Sequence, residues 1–349
     1  ATTILSLSAV RHLQKEDTLD KKARKLLSFT DNRQDASLQA GHFNDFVEIG
    51  LLRSALYSAV EKAGPEGLTH DVLTLRVFDA LNLSWEMYAQ DPSVKPRYGA
   101  RDETDKALRN MLGYRLYHDL RRGWRITAPN LEQCGLLQIG YAYLEELAKD
   151  DDEWQKCHPA LVSANLETRS TICRVLLDYM RRSLAIKVDY LTPQYQEQMR
   201  LQSNQHLGAP WAIDENETLV MAAMLFPRPK QREDYGGHVF VSPRGLFGQY
   251  LRRSSTLSDH QEKLNLDMTL EIIRQLLEIL RVAGLVERVM EPTAPDEVPG
   301  YQIAAAAFRW HAGDGKKPFH DPLRVTATSE FDGKTNPFFL SYYKDIAKE

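Results

Sequence analysis

The sequence predicts a mainly α protein with small β ribbons, an architecture of the α+β class. Apolar residues recur at helical spacing along most of the chain, and short alternating segments follow two of these helical stretches. Near the beginning, one short apolar run is instead typical of a buried strand. The chain has 349 residues, 43% of them hydrophobic and 26% charged, which is enough for two or three compact domains.

Charge and cysteine content limit the classes of function. The net charge of −4 argues against a polycation that coats nucleic acid, so such binding must come from local basic patches. Cys134, Cys157 and Cys173 form neither a zinc-type pair nor an even disulfide set, which favours a reduced, cytoplasmic setting. No apolar run approaches the roughly 20 residues that span a bilayer, so we expect no membrane partner. The chain begins at Ala1 without a Met or a basic leader, so we expect a cut inside a longer protein.

In the first 50 residues, the pattern of apolar positions predicts a helix followed by a strand, a polar turn and a second helix. Residues 1–14 have apolar positions near helical spacing, and the apolar run Lys25–Thr30 stops at Asp31 and Asn32. From Arg33 onward apolar residues again fall on one helical face. Strand, polar turn and helix in this order form the usual α/β unit, whose strand ends at a site.

Three further helices and a ribbon are predicted next. The helices are Leu51–Ala63, ended by Gly64 and Pro65, then Thr69–Leu81, capped by Thr69, and then Asp102–Leu120. Two segments with strand-like patterns follow, Trp124–Thr127 and Leu136–Tyr141. Three helices followed by a two-stranded ribbon are typical of a winged helix.

A second winged-helix-like module is predicted near the end. Apolar residues from Leu266 to Leu280 recur at steps of a helical turn, and Gly284 is placed to end that helix. Two short strands, Leu285–Val289 and Tyr301–Ile303, then flank an acidic, proline-containing loop. The loop acids would repel phosphates, so we expect this module to pack against protein.

These patterns predict two winged-helix-like modules joined by helices, with an α/β edge in front. The predicted divisions are 1–50 for the α/β edge, 51–145 for the first module, 146–235 for a helical connector that includes a linker at Pro227–Arg232, 236–312 for the second module, and 313–349 for an irregular return segment.

Apparent catalytic motifs lack their required surroundings. Gly333-Lys-Thr335 has Thr328 where a phosphate loop needs glycine, and Asp102-Glu-Thr-Asp105 follows no apolar strand. Acids placed in a first helical turn instead suit the helix dipole. The histidines show no metal-ligand spacing. We therefore predict no catalytic, cofactor or metal site in this chain.

The stretch Lys25-Leu-Leu-Ser-Phe-Thr-Asp-Asn-Arg-Gln-Asp-Ala36 closely resembles motif IV, the opening of the second RecA-like lobe in large superfamily 2 DEAD/DEAH-type helicases. Ser37–Phe46 resembles the helix that follows in one branch of large bacterial helicase-like proteins. The resemblance covers about residues 20–55. It implies that residues 1–50 are an incomplete edge of a RecA-like lobe, and that the rest is an insertion. It also implies a parent translocase that uses ATP and Mg²⁺, although the family's nucleotide-site motifs have no match here.

The same resemblance places Thr30, Asn32 and Arg33 where the strand end meets the nucleic-acid backbone. A hydroxyl, an amide and a guanidinium at such a turn can all donate to phosphate. Alternatively, Arg33 pairs with Asp35 and stabilises local structure.

Two basic stretches are further candidates. The first contains one acid, Asp119, and five cations, which span the predicted recognition helix and its wing: Arg109, Arg115, Arg121, Arg122 and Arg125. It predicts phosphate contacts, and the competing interpretation is a solvated face of a structural domain. For the second stretch, Arg169–Lys187, an ordinary amphipathic helix is favoured.

The sequence therefore supports two hypotheses about function. The first is a nucleic-acid-binding and architectural segment of an ATP-dependent superfamily 2 helicase, with weak backbone contacts to DNA or RNA and the remaining helicase lobes as partners. The alternative is a stand-alone winged-helix DNA-binding regulator or a protein–protein adaptor.

The missing nucleotide-site motifs predict that the purified chain does not hydrolyse ATP. A phosphate-release assay, with and without nucleic acid, should give the same rate as buffer alone. Turnover that persists in the Lys334→Ala and Asp102→Ala variants would contradict this prediction, because it would require a nucleotide site elsewhere.

Overall fold

The computed structural model describes residues 33–93, 98–121, 129–214, 216–234, 236–294, 297–324 and 337–345, with 9, 12–13, 15–20 and 23 ahead of them. The side chains of residues 33–47 and 98 are outside this description. Helices dominate and the strands are short, which confirms the α+β class. Most of the predicted N-terminal helix and the whole predicted strand Lys25–Thr30 lie outside the described residues.

The helix predicted from Arg33 onward is longer than predicted. Helix α1 runs as one element over Arg33–Ala63, so the boundary predicted after residue 50 falls inside it. Gly50 does not end the helix. It lies where the phenol ring of Tyr342 packs so closely that a Cβ atom at position 50 would clash with it. The glycine therefore permits a close helix contact, and the helix continues through it.

The rest of the first predicted module contains α2 (His70–Leu81), α3 (Tyr98–Asp119) and β1 (Leu137–Tyr141). Thr69 is the N-cap residue of α2, as predicted, but its hydroxyl bonds the Asp71 carboxylate rather than a backbone amide. Helix α3 begins about one turn before the predicted start. The acids at 102–105 are consequently not in its first turn, and their predicted placement there, beside the positive end of the helix dipole, is wrong.

The middle of the chain is largely helical and also supplies short strands. The elements are α4 (Leu144–Lys149), α5 (Asp151–Trp154), α6 (Pro159–Val162), α7 (Leu166–Arg182), β2 (Ile186–Lys187), α8 (Pro193–His206) and β3 (Leu225–Phe226). The predicted linker at Pro227–Arg232 is the start of a loop to the next strand, and a two-point ion pair between Arg228 and Asp234 holds that loop.

The last part contains β4 (Val239–Phe240), α9 (Leu246–Leu251), α10 (Leu266–Val282), β5 (Val286–Met290), β6 (Gly300–Ala304), β7 (Phe308–Ala312) and α11 (Pro337–Asp345). Helix α11 corrects the prediction that the return segment 313–349 is irregular, because residues 337–345 contain enough apolar and aromatic side chains to pack against α1.

The predicted helix, strand, loop and strand at 266–304 are present. The Asn265 side chain accepts a hydrogen bond from the Met268 amide at 2.9 Å and caps α10. Gly284, with φ of 71°, follows the helix end in the left-handed conformation. Its own amide donates to the Arg281 carbonyl at 3.0 Å, and the Leu285 amide donates to the Leu280 carbonyl at 2.9 Å. This is the Schellman arrangement that the position of Gly284 predicts.

Strand β6 is the centre of a five-stranded mixed sheet. Residue Ile303 pairs with Val286 of β5 on one side and with Ile186 of β2 on the other. Tyr301 similarly lies between Arg288 of β5 and Leu225 of β3, and β4 extends the sheet beyond β3. The segment predicted as a helical connector thus completes the sheet of the second predicted module.

A second, two-stranded sheet joins distant parts of the chain. Strand β1 pairs antiparallel with β7, with Ile139 opposite Trp310, and Leu68 bridges to Trp310 as well. The predicted ribbon partner of β1, Trp124–Thr127, lies outside the described residues. Because β7 belongs to the second predicted module, this pairing connects the two segments that the sequence separates.

The buried apolar side chains form one contiguous cluster that extends from Leu52 in α1 to Tyr343 in α11. Trp154 and Trp310 are fully buried within it. In the part of the chain that the structure describes, no helix combines the length and the apolar character needed to cross a membrane.

The left-handed conformation of Gly284 generates a stability prediction. A Cβ atom at this position meets no neighbour but forces a strained φ, so Gly284→Ala should lower the free energy of unfolding by about 1 kcal/mol. Gly99→Ala is the matched control, because Gly99 also has open space around it but lies in α3 without a positive φ. Urea unfolding should show a loss of stability for Gly284→Ala that Gly99→Ala does not share. Equal losses in the free energy of unfolding for the two variants would contradict the prediction.

Candidate nucleic-acid interface

Only part of the predicted interface lies within the described residues. Thr30, Asn32, Arg122 and Arg125 are outside them, and Arg33 is the first residue of α1, with its side chain not described. Arg109, Arg115 and Arg121 are described completely, and the structure places them in three different environments.

Helix α3, the predicted recognition helix, is an interior helix. It packs against α2 and α8, and between Thr104 and Leu120 the single exposed residue is Lys106. Tyr117, a candidate for stacking on a base, has no exposed surface, and its hydroxyl lies 2.7 Å from Nδ1 of His70. A helix that enters the major groove must present an open face to the bases. The described part of α3 has no such face.

Arg115 is tied to two carboxylates inside the fold. Its guanidinium forms a two-point ion pair with Glu217, with an Nη2–Oε2 distance of 2.8 Å, and its Nε lies 3.2 Å from Oε1 of Glu48. The side chain is 11% exposed. These contacts join α3 to α1 and to the extended segment after α8, so the Arg115 charge is used inside the fold.

Arg109 and Arg121 are more accessible. The Arg109 guanidinium lies 5.9 Å from the centre of the Phe78 ring, and the residue is half-buried. Arg121 is exposed directly after the end of α3, where its amide donates to the His118 carbonyl at 2.9 Å. Arg121 also leads directly into the residues that contain Arg122 and Arg125. The end of α3, rather than its length, is therefore the candidate contact surface.

A buried ion pair fixes the position of this helix end. Arg53 of α1 has no exposed side-chain surface, and its Nε and Nη2 donate to the two carboxylate oxygens of Asp119 at 2.9 and 2.6 Å. Asp119 is the last residue of α3. Two parallel hydrogen bonds between a guanidinium and a carboxylate are strong and directional. The end of α3 is consequently held against α1.

The same guanidinium also holds α11 in place. Nη1 of Arg53 donates to the Tyr343 hydroxyl at 2.8 Å and to the Pro129 carbonyl at 3.1 Å, while the Ser54 hydroxyl donates to the Tyr343 carbonyl at 2.7 Å. Burial opposes the charge on Arg53, but Asp119 outweighs it and raises the pKa of the guanidinium. We call Arg53, Asp119, Pro129 and Tyr343 the Arg53 node.

The Arg53 node was not predicted from the sequence. A signal for it is present, because Arg53 follows Ile49 by four residues and so lies on the apolar stripe of α1 with Leu52 and Leu56. A cation on an apolar helical stripe indicates a buried pair, but the partner Asp119 could not be identified from spacing alone.

The second basic stretch is an amphipathic structural helix, as favoured from the sequence. Arg181 is 1% exposed and forms a two-point pair with Glu132 at 2.6 and 2.9 Å. Arg169 pairs with Asp151 at 2.6 Å, Arg174 with Glu145 at 3.2 Å, and Lys187 with Glu287 at 2.6 Å. The cations of this stretch therefore have carboxylate partners within the fold.

The acidic segment at 102–105 lies on α3 and forms hydrogen bonds with neighbouring protein groups. The Thr104 hydroxyl donates to the Ala100 carbonyl at 2.9 Å, and the Tyr88 hydroxyl donates to Asp105 at 2.5 Å. No cluster of three or more His, Cys, Asp or Glu side chains that could hold a metal ion is found within the described residues. Comparison of the chain with protein-family models, with curated proteins and with solved structures finds no match.

The Arg53 node predicts a large stability effect. Asp119→Ala leaves the buried Arg53 charge without its carboxylate and should cost about 3–5 kcal/mol in the free energy of unfolding. Glu153→Ala is the control, because it removes a carboxylate from the exposed pair with Lys156 and should change stability little. Urea unfolding followed by circular dichroism measures both, and similar small losses in the two variants would contradict the account of the node.

Proposed function

We propose that this chain is a non-catalytic insertion in the second motor lobe of an ATP-dependent superfamily 2 helicase, where it organises the fold around the motor and contacts the nucleic-acid backbone. The observation that carries the proposal is the docking of α11 on α1 at the Arg53 node. The stretch that resembles motif IV leads directly into α1, and α11 is the last described element of the return segment.

An insertion has a geometric requirement that this contact satisfies. The segment that leaves the host domain and the segment that returns to it must lie close together, because the host has to close its own sheet between them. Tyr342 packs on Gly50, and Tyr343 bonds both Arg53 and Ser54. The entering and returning segments therefore run side by side about five turns into α1, counted at 3.6 residues per turn.

The burial of α3 favours the insertion over the stand-alone regulator. A winged-helix regulator reads DNA with an exposed recognition helix, and α3 is covered by α2 and α8 instead. The continuous apolar cluster also favours a single architectural body over two independent binding modules. The protein–protein adaptor has no specific observation in its favour.

Nucleic-acid contact is assigned in this proposal to two regions. One is the motif-IV-like turn with Thr30, Asn32 and Arg33, which rests on the resemblance alone. The other is the end of α3, where exposed Arg121 precedes Arg122 and Arg125. ATP and Mg²⁺ belong to the parent protein, whose nucleotide site would be formed by other parts of the motor.

The second region generates a binding prediction. Three neighbouring arginines would release counterions from about three phosphates, which implies a log–log salt slope of roughly −3 on duplex DNA. Changing Arg121, Arg122 and Arg125 together to Gln should remove most of the affinity and flatten this slope. Fluorescence anisotropy with labelled single-stranded and duplex oligonucleotides, at several salt concentrations, measures both effects.

The matched control changes three exposed lysines elsewhere to Gln. These are Lys156, Lys187 and Lys316, whose side chains are 69%, 55% and 83% exposed. It removes the same charge and should leave most of the binding in place. If the arginine variant binds normally while Arg33→Ala abolishes binding, the end of α3 is not a contact surface and the motif-IV-like turn carries the contact alone.

A further inference from the structure

The loop between α9 and α10 lines a partly open cavity of about 270 Å³. We propose that this cavity, the α9–α10 pocket, binds a phosphate group. Its lining is rich in donors: Arg252, Arg253, Ser254, His260, Gln261 and Lys263. Among the described residues that line it, Glu262 is the one acid. The pocket belongs to the second predicted module, for which the sequence indicates protein contacts only.

The two arginines keep their positive charge uncompensated. Arg252 donates from Nη2 to the Pro243 carbonyl at 2.8 Å, and Arg253 donates from Nη1 to the Pro322 carbonyl at 2.6 Å. Neither is within ion-pair distance of a carboxylate in the described part of the chain, in contrast to Arg53, Arg115 and Arg181. Carbonyl groups orient a guanidinium without neutralising it. The fold thus places two fixed cations beside one cavity.

Both guanidinium groups retain donors for a ligand. A guanidinium has five N–H groups, and the carbonyl bonds of Arg252 originate from Nε and Nη2, those of Arg253 from Nη1 and Nη2. His260 also lines the pocket, but its Nε2 atom is buried, so the donors for a ligand come from the two arginines and the exposed Lys263.

The chemistry and size of the pocket indicate phosphate. Planar guanidinium groups match the spacing of phosphate oxygens, and the exposed Lys263 adds a further charge. A cavity of 270 Å³ has room for a phosphate group, so the argument for phosphate rests on the cations rather than on size. Free phosphate and the backbone phosphate of a nucleic acid share this chemistry.

The test uses the intact chain and inorganic phosphate, with binding followed by calorimetry or by ³¹P NMR at low ionic strength. Lys263 and Glu262 are both exposed, so neither substitution should affect folding. Lys263→Gln should weaken phosphate binding and Glu262→Gln should strengthen it, each by roughly two- to fivefold, as expected for one exposed charge. Lys316→Gln, which changes another exposed cation that does not line the pocket, should leave the affinity unchanged.

If the loop had only a structural role, Lys263→Gln and Glu262→Gln would not change the phosphate affinity in opposite directions. Absence of phosphate binding at millimolar concentration would overturn the proposal, and so would changes of equal sign or a Lys316→Gln effect as large as that of Lys263→Gln. A thymidine oligonucleotide then identifies the source, because it displaces phosphate if the pocket takes a nucleic-acid backbone and fails to displace it if the pocket takes the free ion. The outcome is independent of the insertion proposed above, which rests on the Arg53 node.

Discussion

The buried ion pair between Arg53 and Asp119 is the interaction on which the arrangement of this chain depends. A guanidinium that is completely removed from water is tolerated only when carboxylate and hydrogen-bond partners surround it in fixed geometry. Arg53 meets this requirement with partners from the end of α3, from the loop at Pro129 and from α11. Three parts of the chain that are distant in sequence, namely α1, the region 119–129 and α11, therefore have to assemble at one point. Helix α1 is correspondingly the reference element against which α3 and α11 are positioned.

Other arginines also form ion pairs with carboxylates inside the fold. Arg181 joins α7 to Glu132 and donates from Nε to the Tyr141 hydroxyl. Arg115 joins α3 to α1 and to the segment after α8. Arg169 pairs with Asp151 and donates to the carbonyls of Leu161 and Val162, which end the short helix α6. Many arginines of this chain thus connect helices internally. Their abundance in a stretch of sequence is for that reason a poor measure of its surface charge.

This explains which features could be predicted from the sequence and which could not. The α10 helix, its glycine stop and the β5–β6 hairpin follow from local signals, namely apolar spacing and the conformational freedom of Gly284. Contacts between residues distant in sequence cannot be predicted from local spacing. Examples are the pairing of β1 with β7 and the ion pairs Arg53–Asp119 and Arg115–Glu217. The predicted start of a separate helix at Leu51 was wrong, because α1 continues through Gly50, which lies in close contact with Tyr342. In the predicted interface, charge alone could not distinguish Arg121, which is exposed, from Arg115, which is internal.

The proposed insertion rests on one physical claim, that the return helix α11 is held against α1 by the Arg53 node. Native-state hydrogen exchange tests this claim directly, because it reports the free energy of opening for each helix separately. The account predicts that the α11 amides and those in the second half of α1 are comparably protected, and that Tyr343→Phe weakens α11 protection while α10 retains its own. Exchange of the α11 amides at the rate of an unfolded peptide in the unmodified chain would contradict it, since the entering and returning segments would then not be joined.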